Sequence, residues 1–245
     1  ILATAEYLDM REIYVEKDYW VTVALYEIFH SNIAGQTVFK GGTALAKCYK
    51  LIERFSEDID MVVLRNEGES DNQLKKKIRE ISKVVTKVIP EVEIDGITNK
   101  MGNIRKTVHQ YEKKFEVDFG QVREHVVVEA TWLGNFEPFS EMPVSSYITD
   151  MMRAKGQDEL IEKYNMAPFN IQVLSKLRTF CEKIMSLVRF SRSPEPIVDL
   201  RNKIRHVYDI HQMLKDGEIQ QFFRSGDFDK MLVKVGQDDM IGYKN

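Results

Sequence analysis

Residues 37–64, TVFKGGTALAKCYKLIERFSEDIDMVVL, constrain the fold more tightly than any other part of the chain. QTVFK (36–40) reads as a short strand that breaks at Gly41-Gly42. Helical spacing then returns over 43–53, with Leu45, Cys48, Tyr49 and Ile52 on one face, and IDMVVL (59–64) is the next strand. On a strand, side chains alternate faces, so Asp58 and Asp60 point the same way while Ile59 points into the core. Two close like charges are unfavourable unless something neutralises them, and a divalent cation is the usual remedy. A strand running through paired glycines into a helix leaves free backbone N–H groups at the positive helix end, where a phosphate can approach closely. Thr43 adds a hydroxyl at that point. Either half alone is a weak signal. A phosphate cradle followed by a same-face carboxylate pair is the equipment of nucleotidyl or phosphoryl transfer.

The rest of the chain supplies a frame for this unit. EKDYWVTVALYEIFH (16–30) spaces Tyr19, Val23 and Tyr26 as an amphipathic helix. DNQLKKKIREISKVVTKVIP predicts another helix, capped by Asp71, striped by Leu74, Ile78, Ile81, Val85 and Val88, and stopped by Pro90. EVEI, KTVHQYE and HVVVEATWL follow as strands. The pattern changes near 135. NFEPFSEMPVSSYITD reads as a loop with two prolines, and helices are expected over 171–190, 198–215, 218–223 and 227–235. The expectation is an α/β (α+β) chain. A small mixed sheet with flanking helices forms a core over 1–135, and a mainly helical C-terminal bundle occupies 136–245.

With 43% hydrophobic and 30% charged positions, the 245 residues can bury a real core. No apolar run is long enough for a transmembrane helix, and the N-terminal stretch lacks the pattern of a signal peptide. Cys48 and Cys181 both fall in helix-like apolar patterns and read as buried thiols of a cytoplasmic protein. The five histidines have no zinc-ligand spacing, and there is no G-x-S-x-G, Walker or G-x-G-x-x-G motif. The net charge of −3 conceals a basic segment, because residues 171–215 hold nine Lys/Arg against four Asp/Glu. That excess suits a phosphate-bearing partner, and a solvated helical face would also produce it.

FKGGTALAKCYKLIERFSEDIDMVV closely resembles the signature of the AbiEii/AbiGii-type toxin family, nucleotidyltransferase-like proteins of the DNA polymerase β superfamily, and EKDYWVTVAL resembles that family's opening helix. The resemblance implies that the Gly41-Gly42-Thr43 turn contacts a nucleoside triphosphate and that Asp58 and Asp60 ligate Mg²⁺. Lys47, Arg54, Ser56 and Glu57 also sit where the family pattern has them, which makes Lys47 a nucleotide-binding candidate. FCEKIMSLVRF is similar to the family's lysine motif and assigns Lys183 to the nucleotide. KIRHVYDIHQML resembles its later aspartate motif and assigns Asp209 a catalytic part. Glu129, an acidic residue in an apolar β run, is the candidate third carboxylate for the metal.

What the family resemblance implies is a bacterial cytoplasmic toxin with a cognate antitoxin, transferring a nucleoside monophosphate to an acceptor such as tRNA. A nucleotide-binding module without turnover, or a small-molecule nucleotidyltransferase, would use the same motif. An acidic acceptor pocket favours a cationic small molecule, whereas a basic surface favours RNA.

Overall fold

The computed structural model describes residues 1–115, 122–134 and 137–242. Its centre is a seven-stranded mixed sheet of β1 (Thr37–Lys40), β2 (Ile59–Val63), β3 (Glu91–Val92), β4 (Ile104–His109), β5 (Val126–Thr131), β6 (Phe139–Val144) and β7 (Phe169–Leu174), in the order β3-β4-β5-β2-β1-β7-β6. β1 pairs antiparallel with β2 and parallel with β7, and β2 pairs parallel with β5.

Strand alternation divides the sheet into two chemically different faces. Phe39, Ile59, Met61, Val63, Val126, Val128, Ala130, Ile171 and Val173 turn to one face and form the main core. Helices α1 (Leu2–Leu8) and α2 (Glu12–Phe29) begin the chain, and α3 (Gly41–Lys47) follows the glycine turn. α2 and α4 (Asp71–Thr86) cover the apolar face, α4 through Leu74, Ile78, Ile81 and Val85. The opposite face keeps only a small apolar patch around Val38, Val62 and Leu174 and carries Lys40, Asp60 and Glu129 beside it. A sheet with one apolar and one charged face exposes its charged side to whatever the remaining helices leave open.

Those helices are α5 (Tyr147–Ala154), α6 (Asp158–Lys163), α7 (Lys176–Ser191), α8 (Pro196–Asn202), α9 (Ile204–Met213), α10 (Gly217–Phe223) and α11 (Gly226–Gly242). α7 packs with α9, α10 and α11 around a second core of Phe180, Cys181, Met213, Ile219, Phe222 and Val235. Leu45 of α3 enters this second core, while its neighbour Ala44 belongs to the first. Cys181 is buried and Cys48 half-buried, and burial pushes both thiols up to about 12.

Several expected elements differ. The helix expected over 43–53 ends at Lys47. Lys50 takes φ 54°, and the Tyr49 hydroxyl donates to the Leu174 carbonyl, so the chain turns back along β7. Residues 139–144, expected as loop, form β6, and 169–174, of which 171–174 were expected as helix, form β7. The sheet therefore takes strands from both sides of residue 135. The cap of α4 is Ser70, whose backbone N–H donates to Gln73 Oε1, and Asp71 instead pairs with Arg65. Among the described residues, no helix is long and apolar enough to cross a membrane.

Candidate active site

The charged face of the sheet opens into a cleft of about 410 Å³ whose second wall comes from α7, α9 and α11. Register aligns a row of four charges across its floor. Lys40 of β1 stands opposite Asp60 of β2, Asp60 opposite Glu129 of β5, and Glu129 opposite Lys106 of β4. Two adjacent carboxylates are thus flanked by two cations. Burial first, then the Glu129 and Asp58 carboxylates, push the Asp60 carboxyl up to about 7, against the pull of Lys40 and Lys183. The Lys106 ammonium lies 3.3 Å from Glu129.

The glycine turn meets this row directly. Gly41 has φ +80°, and a Cβ there would stand 2.1 Å from Asp60 Oδ2. A Cβ on Gly42 would stand 2.7 Å from an Arg54 guanidinium nitrogen and 2.9 Å from Ser56 Oγ. Only glycine fits either position with the neighbours as they are. The Thr43 and Ser56 hydroxyls hydrogen-bond at 3.0 Å and tie the turn to the segment entering β2.

Asp58, one residue before β2, accepts from Arg123 Nη1 at 2.5 Å. Arg123 is held in place from behind. Its backbone N–H donates to the two Glu57 carboxylate oxygens at 3.1 and 3.2 Å. Lys17, fully buried on α2, donates to the Arg123 carbonyl at 2.8 Å and also to the His125 carbonyl, and lies 3.3 Å from Glu57. Burial lowers the Lys17 ammonium to about 8 against the opposing effect of Glu57.

The helical wall is a chain of ion pairs. Arg178, 1% exposed, donates to Asp238 of α11 at 2.6 Å and to Glu182 at 3.2 Å, and Lys40 also donates to Glu182 at 2.9 Å. Arg189 donates to Asp239 at 2.8 Å. Lys183 donates to Asp209 at 2.8 Å, and Arg54 donates to the same carboxylate at 2.7 and 2.8 Å. Burial works to raise the Asp209 carboxyl, but the Arg54 hydrogen bonds and the Lys183 charge outweigh it and hold the group below the usual carboxylate range. His206 lines the cleft as a neutral imidazole: burial, helped by Lys183 and Lys203, pushes it down to about 4. Its Nδ1 is buried with no partner among the described residues.

Of the residues singled out in the sequence, Gly41, Gly42, Asp58, Asp60, Glu129 and Lys183 line this one cleft. Three do not. Thr43 is buried behind the turn. Asp209 is fully buried behind Lys183, with both oxygens engaged. Lys47, expected to contact the nucleotide, is buried outside the cleft lining and held by Asp18 at 2.5 Å. Arg178, Glu182, Arg189, His206, Asp238 and Asp239 were not singled out, because nothing short-range in the sequence brings α7, α9 and α11 to the sheet.

The donor set fits a hard divalent cation in kind, being all carboxylate oxygen with a half-buried, like-charged pair. As they stand, no three His, Cys, Asp or Glu side chains among the described residues converge closely enough to chelate one. Arg123 and Lys106 occupy the carboxylates of Asp58 and Glu129 instead.

A family model described as nucleotidyl transferase AbiEii toxin, type IV toxin–antitoxin system, matches residues 23–241. The chain belongs to the AbiEii nucleotidyltransferase toxin family. The match spans both the sheet and the helical wall, so the glycine turn, the Asp58–Asp60 pair and Lys183 all lie within the AbiEii domain. Among solved structures, the chain is similar to MenT4, a nucleotidyltransferase toxin from Mycobacterium tuberculosis, at 13% identity over 96% of this chain and 98% of that one, with TM-score 0.46. It is also similar to an antigenic nucleotidyltransferase-like protein from Paracoccidioides brasiliensis, at 15% identity over 91% and 89% of the two chains, with TM-score 0.39. No curated protein matches significantly.

Proposed function

We propose that this AbiEii nucleotidyltransferase transfers a nucleoside monophosphate from a nucleoside triphosphate to an RNA acceptor such as tRNA, with Mg²⁺ as cofactor, in the cytoplasm and under the control of a cognate antitoxin. The observation that carries the reading is the shared cleft of Gly41-Gly42, Asp58, Asp60, Glu129 and Lys183. A bound Mg²⁺ would neutralise the carboxylate pair and polarise the phosphate oxygens. Asp58 and Asp60 would be its ligands, with Glu129 as the third carboxylate within the same floor.

The protein's own groups do the remaining work. The turn at Gly41-Gly42 accepts the β- and γ-phosphates, because no side chain there blocks their approach to the backbone N–H groups at the start of α3. Lys183 bears on the triphosphate and the departing pyrophosphate. Asp209 and Arg54 are positioning residues: their buried pair fixes the direction of the Lys183 side chain before substrate arrives. Arg123 holds the Asp58 carboxylate in place at the edge of the glycine turn's cleft.

The test uses purified protein, Mg²⁺ and each α-³²P-labelled nucleoside triphosphate, with total tRNA and total protein as acceptors and Asp58→Ala alongside. Label is expected in RNA with wild type and at least a hundredfold less with the variant, whose melting temperature stays near that of wild type. Label transferred by Asp58→Ala at the wild-type rate would remove the metal assignment. Label found only in protein would move the acceptor to a polypeptide.

A further inference from the structure

A second cavity, of about 400 Å³, lies behind the cleft and is lined by Tyr14, Arg54, Phe55, Glu57, Arg205 and Tyr208 among others. The two cavities share a wall. Glu57 lines the second cavity and its neighbour Asp58 lines the cleft. On α9, Arg205 and Tyr208 line the second cavity while His206 lines the cleft. The Arg54 guanidinium completes the wall, since it is the group that a Cβ on Gly42 would strike.

The lining has a definite chemistry. Tyr14 and Phe55 stack with ring centroids 4.8 Å apart and 23° between planes, and Arg11 lies 5.8 Å from the Tyr14 centroid. Arg54 is held by Asp209, and Glu57 is engaged by the Arg123 N–H and Lys17, which leaves Arg205 as the cation of the lining without an ion pair. Aromatic faces with surplus positive charge suit a planar ligand that carries phosphate. They do not suit a cationic small molecule.

The basic segment of the sequence resolves the same way. Within 171–215, Lys176, Arg178, Lys183 and Arg189 are each matched by a carboxylate. Arg192, Lys203 and Lys215, together with Arg201 of α8 and Arg205 of α9, make no ion pair among the described residues. Beside them Ile197 and Ile204 are 78% and 63% exposed. Of these unpaired cations, Arg205 lines the second cavity and Lys203 lines the cleft.

We infer that this cavity is an acceptor subsite: it receives a nucleobase from the single-stranded 3′ end of RNA, which extends the Tyr14–Phe55 stack and sets its phosphate against Arg205. The inference rests on the reading that the acceptor is RNA. A base held here stands one wall from the carboxylates of the cleft, with the strand leading out over α8 and α9.

Binding can be measured without turnover. The probe is a short fluorescein-labelled single-stranded RNA with a free 3′ hydroxyl, titrated against the full chain in the absence of nucleotide. A fluorescent ATP analogue is titrated in parallel without RNA. Tyr14→Ala and Arg205→Glu are each expected to weaken RNA binding about tenfold or more, the loss that follows removal of one stacking ring or one phosphate contact. Tyr14→Phe keeps the ring and restores wild-type affinity. The ATP analogue binds all three variants as it binds wild type, which also shows that they are folded. Unchanged RNA affinity in Tyr14→Ala overturns the inference, and so does a wild type that binds no RNA. Loss of ATP-analogue affinity in folded Tyr14→Ala also overturns it, by giving the cavity to the incoming nucleotide. If RNA binds through Tyr14 but receives no label, the transfer reading fails and the subsite stands. If RNA is labelled and Tyr14→Ala binds it normally, the subsite fails and the transfer reading stands.

Discussion

Gly41 carries two constraints that a sequence pattern merges into one letter. Its φ of +80° lies in the left-handed region, where an alanine is strained by about 1–3 kcal/mol. Its missing Cβ also leaves room for the Asp60 carboxylate, which an added methyl would meet at 2.1 Å. Gly35, one strand earlier, has nothing within 4 Å of the same position and is the natural control. Gly41→Ala is expected to lower stability by about 1–3 kcal/mol in urea titration. It should also reduce nucleotide transfer far more than that loss explains, because Asp60 is displaced. Gly35→Ala is expected to leave transfer unchanged. Equal activity in the two variants would mean that the turn and Asp60 are not coupled as the distance requires.

At the scale of elements, β4 carries a buried switch of stability unrelated to the cleft. His109 is fully buried, with Nδ1 3.0 Å from the Ile89 carbonyl and Nε2 3.0 Å from the Thr107 hydroxyl. Burial lowers its affinity for a proton below the ordinary value of 6.5, against the hydrogen bond it makes to the Ile89 carbonyl, which favours the charged form. The unfolded chain therefore takes up this proton first as pH falls, so the folded state loses stability below about pH 6.5. Above that pH both states are neutral at this residue and no difference arises. Wild type should lose more stability than His109→Gln between pH 7.5 and pH 5, read as the shift in urea midpoint. Parallel curves would place the proton uptake elsewhere. The elements legible in the sequence were those whose signal is local. β2 follows from the alternation of Ile59, Met61 and Val63 against Asp58, Asp60 and Val62, and α4 from its apolar stripe. β6 is masked because Ser140, Glu141 and Pro143 read as loop, and an edge strand tolerates all three. β7 is ambiguous in sequence because FNIQVL is a short apolar run whose period does not separate strand from helix. The same distinction divides the site. Asp58, Asp60 and the glycines sit within one local unit, whereas Arg178, Arg189, Asp238 and Asp239 meet only after α7 and α11 pack.

Across the whole molecule, the question is whether the sheet and the helical wall are two units or one. A sequence division at 135 would cut the sheet, since β6 and β7 follow it and β7 pairs with β1. We propose that the change in architecture comes at the start of α7, and that the two parts unfold together. α3 is the join: Ala44 packs in the sheet core, Leu45 in the helical core, and Tyr49 touches both. Two ion pairs, Lys40–Glu182 and Arg54–Asp209, join the sheet side to the helical wall, and Arg178–Asp238 and Arg189–Asp239 tie α7 to α11 within that wall. Leu45→Ala removes a fully buried side chain from the helical core and is expected to cost about 2–5 kcal/mol. Both tryptophans, Trp20 and Trp132, pack against the sheet core and report on that part alone. Amide exchange of α7 reports on the other. In one cooperative unit, Leu45→Ala moves the tryptophan transition in urea and the loss of α7 protection to lower urea by the same amount. A tryptophan midpoint that stays in place while α7 loses protection would make the helical part a separate unit, and the cleft an interface between two bodies that can open.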